Sequence, residues 1–108
     1  MALFGFGKKK AQSAKRFIEP LNTAVFTPSF VLEEKKPITH VSHDADDGAW
    51  QFFSNDELED FERVARVVGL GEIIKLDASI LALADLPVGY YALRKHATDK
   101  WIIQKQEA

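Results

Sequence analysis

The stretch Ile38-Thr-His-Val-Ser-His-Asp-Ala-Asp-Asp-Gly-Ala-Trp-Gln-Phe-Phe53 carries the strongest structural signal in the chain. Two runs of strand-forming residues, 38–43 and 49–53, flank a turn-rich centre. Asp47-Gly48 favours a type I′ turn, because both central residues of that turn need positive φ, which glycine adopts freely and aspartate tolerates. The stretch therefore predicts a β-hairpin with an aromatic arm in the core and an acidic tip in water.

Strand and helix signals alternate along the rest of the chain. Thr27 and Pro28 suit the cap and first residue of a short helix, and Asp77 suits the cap of a later one. Further strands are predicted over 22–26, 63–68, 90–96 and 101–105, and helices over 28–34, 54–61, 70–76 and 78–84. This order predicts an α+β fold, with an antiparallel or mixed sheet of about five or six strands and short helices mainly on one face.

The composition excludes several classes of protein. The chain has 108 residues, of which 46% are hydrophobic and 28% are charged, as in an ordinary single globular domain. It has no cysteine, which excludes disulfides, thiolate zinc sites and thiol nucleophiles and fits a reducing, cytoplasmic setting. No apolar run approaches the roughly 18 residues of a membrane span.

Charge is distributed unevenly. Residues 1–16 contain five basic residues and no acid, which predicts a basic, flexible leader. Residues 17–108, the predicted single domain, hold nine basic and sixteen acidic residues and so carry a net charge of −7. An acidic body disfavours nucleic acid and favours a basic protein partner. The leader leaves a second hypothesis open, a membrane-tethered or oligomeric accessory protein that uses its apolar tip and lysines.

The aspartates of the hairpin tip are a candidate calcium site, which can be compared with the ligand pattern of an EF-hand. An EF-hand loop counted from Asp44 finds Asp46 at position 3, but Gly48 falls at position 5 and Asn55 at position 12, where glutamate is needed. The pattern does not match, so neither a metal nor another cofactor is predicted.

Three histidines are the remaining candidates for chemistry. His40 and His43 are three apart on one strand, so their side chains should point to opposite faces of the sheet. No serine stands on a glycine-flanked elbow as a nucleophile. We therefore predict a protein without catalytic residues. The alternative is a small-ligand or hydrolytic protein that uses His40, His43 or His96 with Asp44.

Aromatic side chains cluster in the two predicted hairpins. Most should belong to the core, but Trp50 or Tyr91 could stand exposed beside the acidic turn, as in protein-binding hot spots aimed at a basic partner. The prediction is a non-enzymatic protein-binding module whose partner-binding residues are His43, Asp44, Asp46, Asp47 and Trp50.

The chain also resembles a known family. The motifs are Pro37-Ile38, Val41-Ser-His-Asp44, Asp47-Gly48 and Trp50-Gln-Phe52, with further likeness over residues 67–90. They are similar to the signature of a family of small uncharacterised bacterial domains, which is itself similar to proposed toxin-immunity proteins. The resemblance spans roughly residues 22–103. It implies a bacterial, cytoplasmic α+β domain and an immunity role, and it implies no functional residues.

Overall fold

The structure, a computed structural model, describes residues 15–57 and 60–107, which form six strands and four short helices. The strands are β1 (Ala24–Pro28), β2 (His40–His43), β3 (Trp50–Phe53), β4 (Ala65–Gly69), β5 (Tyr90–Leu93) and β6 (Ile102–Lys105). The helices are α1 (Ser29–Leu32), α2 (Phe61–Val64), α3 (Leu70–Leu76) and a 3-10 helix (Ala78–Leu83). The predicted α+β class is confirmed. No helix among these residues is long and apolar enough to cross a membrane.

All six strands belong to one mixed sheet in the order β4-β1-β3-β2-β5-β6. Strands β1 and β3 are parallel, and every other neighbouring pair is antiparallel. The parallel pair arises because the chain passes through α1 and β2 before β3 returns beside β1, as a parallel connection requires. The prediction of a five- or six-stranded antiparallel or mixed sheet is therefore confirmed.

The central hairpin forms as predicted, with β2 opposite β3. His43 lies opposite Trp50, and Val41 lies opposite Phe52. The predicted type I′ turn is wrong, because Gly48 has a φ of 73° whereas Asp47 does not have positive φ. The loop instead makes one helical turn, in which the Gly48 N–H donates to the Asp44 carbonyl oxygen at 2.9 Å. Glycine closes this turn in the left-handed conformation, as it does at helix ends.

One face of the sheet carries the core. The buried strand residues on this face include Val25, Val41, Trp50, Phe52 and Ala92, which the strand register places on the same side. Helix α3 adds Leu70 and Ile73, and the 3-10 helix adds Ile80 and Leu83. Alternation with period two puts the intervening residues of each strand on the other face. We call the first face the core face and the second the open face.

Two local predictions around β1 are wrong, namely the helix cap at Thr27 and the helix start at Pro28. Thr27 does not cap a helix, since its hydroxyl donates to the carbonyl oxygen of Phe52 at 2.8 Å and ties β1 to β3. Strand β1 therefore continues to Pro28, and α1 begins at Ser29. Within α1, Val31 is buried but Phe30 is only half-buried. Helix α1 ends at Leu32, and Lys35, three residues farther along, has a φ of 59° in the left-handed region.

The elements that follow the central hairpin match their sequence predictions to different degrees. Residues 54–57 do not form the predicted start of a helix, and α2 begins at Phe61. Helix α3 has its predicted bounds, and the Asp77 carboxylate accepts the Ser79 N–H at 3.0 Å as the predicted cap. The element it caps is a 3-10 helix. The second hairpin is confirmed, although β5 ends at Leu93 and leaves His96 in a bend.

The N-terminal leader lies mostly outside the described residues. Lys15 and Arg16 are described, and the Lys15 ammonium group forms an ion pair with Asp85 at 3.2 Å. The chain between them and β1 packs against the core face through Phe17, whose ring meets that of Trp50 edge-on at 5.0 Å. Contact with the body therefore begins before the predicted domain boundary at residue 17.

Candidate functional site

The open face of the sheet lies opposite the side on which α3 and the 3-10 helix pack. The residues that the strand register places on it include Phe26, His40, Ser42, Gln51, Phe53, Val67, Tyr91, Leu93, Ile102 and Gln104. Val67 is 60% exposed and Ile102 is 61% exposed, and the rings of this face are half-buried. Contact from outside the sheet comes from α2, where Phe61 packs on Phe53 at 5.8 Å.

His40 lies at the centre of the open face. Its ring stands 5.2 Å from the ring of Phe53 and 5.7 Å from that of Tyr91. Burial among these neighbours lowers the pKa of His40 below its ordinary value, and the negative charge of Asp44 opposes that shift. The face therefore holds a neutral imidazole between two aromatic rings at neutral pH.

Two shallow depressions adjoin His40 on this face. One, of about 410 Å³, is bordered by Ser42, Asp44 and Tyr91. The other, of about 580 Å³, is bordered by Asn55, His96 and Ile102. Both share the side chains of His40 and Leu93. The two depressions therefore lie next to each other on β2 and β5, and the smaller one has the Asp44 carboxylate on its border.

The acidic loop, residues 44–49, borders that end of the open face. Asp46 and Asp47 are exposed, and Asp44 is half-buried and accepts a hydrogen bond from the Gln51 amide. Asp47 also accepts the N–H of Ala49 at 2.9 Å. Within the described ranges, none of the three carboxylates forms an ion pair with a lysine or arginine. The loop therefore presents uncompensated negative charge beside aromatic surface.

Two residues of the predicted partner-binding set lie on the core face instead. Trp50 is 2% exposed and His43 is 8% exposed. The exposed position considered for Trp50 is therefore wrong, because the hairpin register turns the indole toward the helices. Of the two aromatic residues considered, Tyr91 is the one on the open face. Asp44, Asp46 and Asp47 remain at the surface as expected.

His43 and Trp50 together hold the N-terminal segment against the core face. The Nδ1 of His43 donates to the carbonyl oxygen of Leu86 at 2.8 Å, since a carbonyl can only accept. The Nε1 of Trp50 donates to the Glu19 carboxylate at 2.8 Å, and the same Glu19 oxygen lies 3.9 Å from Nε2 of His43. The other Glu19 oxygen is buried without a hydrogen-bond partner. Glu19 is therefore an anchoring residue for this segment.

The three histidines do not converge on one site. His40 and His43 point to opposite faces, as their spacing predicted. His96 borders the larger depression with His40, but it is exposed and bonds to Asp99 at 3.2 Å. Among the described residues, no group of three histidine or acidic side chains is placed to hold a metal ion.

Sequence reasoning missed the open face itself. The signal was present in the alternation of Phe26, His40, Phe53 and Tyr91, but it could be used only with the strand order, which brings these residues together. Glu19 carried no local signal, because its partner Trp50 lies 31 positions away. In comparisons with known proteins, no protein-family model, curated protein or solved structure matches the chain.

Proposed function

We propose that this protein is a non-enzymatic binding module that docks a basic protein partner on its open face and acidic loop. The observation that carries the proposal is the position of three aspartates without basic partners, among the described residues, at the border of an uncovered aromatic face. Exposed apolar surface of this kind marks interaction sites in soluble proteins.

The acidic loop and the open face offer complementary contacts to a basic partner. Carboxylates of the acidic loop attract lysine and arginine side chains and raise the rate of encounter with a basic surface. The rings of Phe53 and Tyr91 lie on the neighbouring face, where they offer contact area and cation–π stacking to the same side chains. The net charge of −7 over residues 17–108 acts in the same direction at longer range.

A more specific form of the proposal follows from the resemblance to proposed immunity proteins. The partner is then a bacterial toxin, and the module occludes a basic cleft on that toxin within the bacterial cytoplasm. What supports this form is the sequence likeness together with the acidic loop.

The test compares two charge-neutralised variants of the full chain. The first carries Asp44→Asn, Asp46→Asn and Asp47→Asn. Each substitution removes the charge and keeps a side-chain oxygen that can accept the hydrogen bonds of the turn. The matched control carries Glu34→Gln, Asp60→Asn and Glu62→Gln. These three acids are exposed. Glu34 follows the C-terminal end of β1, and Asp60 and Glu62 precede the N-terminal end of β4. Both strand ends lie at the side of the sheet away from the acidic loop.

Affinity capture from the native host with the parent chain identifies the partner, which is then purified and titrated against each variant. We expect the loop variant to bind about tenfold or more weakly at low salt and to lose most of its salt dependence. The control variant should bind like the parent. Equal binding by the parent and the loop variant would show that the acidic loop is only a turn.

A further inference from the structure

The smaller depression on the open face has the chemistry of a site for one cationic side chain. Its volume of about 410 Å³ is near the lower end of the roughly 300–1,000 Å³ that ligand sites occupy. Six residues border it, namely His40, Ser42, Asp44, Tyr91, Leu93 and Gln106. Of these six, only Asp44 is charged at neutral pH, because burial lowers the pKa of His40. The border is therefore negative, with no cation to compensate it.

Asp44 and Ser42 supply hydrogen-bond acceptors on one side of the smaller depression. The Gln51 amide donates to one oxygen of Asp44 and so holds the carboxylate in place. A carboxylate has about four acceptor sites, so Asp44 can accept further hydrogen bonds. Ser42 lies two positions earlier on the same face and is 8% exposed. Its hydroxyl is a second acceptor on the border of the same depression.

Tyr91 and Gln106 form a wall that is already held in position. The Tyr91 hydroxyl donates to Oε1 of Gln104 at 2.6 Å. The Nε2 group of Gln106 donates to the carbonyl oxygens of Tyr90 at 3.2 Å and of His43 at 3.4 Å. Side chains that are held in place before binding lose less conformational entropy when a ligand arrives. The smaller depression is therefore prepared for a ligand that has donors and a flat face.

We propose that the smaller depression receives the guanidinium group of an arginine side chain of the basic partner. This inference rests on the proposed function and names the side chain that anchors the partner at the same site. A guanidinium is planar, carries five N–H donors and stacks on aromatic rings. It can therefore pair with Asp44, donate to Ser42 and lie against the ring of Tyr91 at the same time.

A lysine side chain matches the smaller depression less well. Its ammonium group is a compact, strongly hydrated point charge, which pairs with Asp44 but gains less from the ring of Tyr91. A neutral side chain gains nothing from the charge of Asp44. Charge complementarity therefore selects a cation, and the flat ring beside the two acceptors selects arginine over lysine.

The test uses the amides of Nα-acetyl-arginine, Nα-acetyl-lysine and Nα-acetyl-citrulline as probes. Citrulline is the matched neutral control, because it keeps the length and the planar polar end of arginine. Each probe is titrated into the full chain at constant ionic strength while amide and side-chain NMR resonances are followed. We expect the arginine probe to bind in the millimolar range and to shift the resonances of Ser42, Asp44 and Tyr91. The lysine probe should bind about threefold more weakly, and the citrulline probe about tenfold more weakly.

Two pairs of variants separate this site from the general charge of the acidic loop. Asp44→Asn should weaken binding of the arginine probe about tenfold. Asp46→Asn removes the same charge outside the border of the depression and should weaken binding by less than about twofold. Tyr91→Leu should abolish the preference for arginine over lysine, whereas Tyr91→Phe keeps the ring and should retain it. If Tyr91→Leu does not fold, the two aspartate variants decide the question.

The inference is overturned if the arginine probe shifts none of these resonances at millimolar concentrations, or if citrulline binds as tightly as arginine. It is also overturned if Asp44→Asn and Asp46→Asn weaken binding equally, or if Tyr91→Leu folds and keeps the preference. The proposed function survives each of these results if the triple loop variant still binds the purified partner more weakly than the parent does. Conversely, if the probe depends on Asp44 while the triple variant binds the partner normally, the proposed function fails and the arginine site remains.

Discussion

His43 and Trp50 lie directly opposite each other on β2 and β3, and their rings stack with centroids 4.0 Å apart at an interplanar angle of 17°. Both rings face the helices, and both reach Glu19 of the N-terminal segment. The arm of the hairpin that is richest in aromatic residues therefore packs the core through this face, and the open face lies on the reverse of the same strands.

Truncating Trp50 should be among the most destabilising changes in the protein. Trp50→Ala and Phe52→Ala each remove a ring that is at most 2% exposed, at an expected cost of about 3–5 kcal/mol. Trp50→Phe keeps a ring but leaves the Glu19 carboxylate without its donor, at an expected cost of about 1–3 kcal/mol. Denaturant unfolding measures all three. Trp101→Ala, at a half-buried ring, should cost less, and a neutral Trp50→Ala would contradict the packing.

Gly48 should resist substitution for conformational reasons alone. A Cβ at this position meets no atom within 4 Å, yet its φ is 73°. Gly48→Val should therefore cost about 1–3 kcal/mol through backbone strain. Gly48→Asn is the control, because asparagine tolerates this conformation, and it should cost clearly less. Equal unfolding free energies for the two variants would argue against the left-handed turn.

The ion pair between Arg94 and Asp77 should stabilise the folded protein through its charge. The Arg94 side chain is 2% exposed and its Nη2 lies 2.9 Å from the Asp77 carboxylate. Asp77→Asn keeps an oxygen for the Ser79 cap but leaves a buried cation unpaired, which should cost about 2–4 kcal/mol given the partial exposure of Asp77. Glu72→Gln breaks the exposed pair with Lys75 and should change stability by less than about 1 kcal/mol. Comparable losses for both variants in denaturant unfolding would contradict this account.

His40 should make stability depend on pH. Burial lowers the pKa of His40 in the folded protein below its ordinary value of 6.5, with Asp44 opposing the shift. Between the folded pKa and pH 6.5, the unfolded chain therefore binds more protons than the folded protein. Stability should accordingly fall as the pH drops from 6.5 toward the lower folded pKa. His40→Gln should flatten this part of the profile, and NMR titration of the imidazole should report the lowered value directly. A stability profile that His40→Gln leaves unchanged would contradict the assignment.

Elements with local signals could be predicted from the sequence. Strands β2 and β3 follow the alternation of Val41, Trp50 and Phe52 around a glycine turn, and this pattern alone fixes which residues share a face. Helix α3 and the Asp77 cap likewise depend on residues within a few positions of one another. The clustering of Asp44, Asp46 and Asp47 at the hairpin tip also follows from adjacency in the chain.

Non-local packing decided the rest. The sequence alone determined the hairpin, the acidic loop, the charge asymmetry and the α+β class, because each arises from neighbouring residues or from composition. Only the tertiary structure decided that Thr27 bonds to β3, that Glu19 bonds to Trp50, and that β6 forms an outer edge. It also decided which face of the hairpin the helices cover. Both faces carry aromatic residues, so alternation marks two sides of the sheet, and only the burial of one side against α3 and the 3-10 helix leaves His40 and Tyr91 on the other.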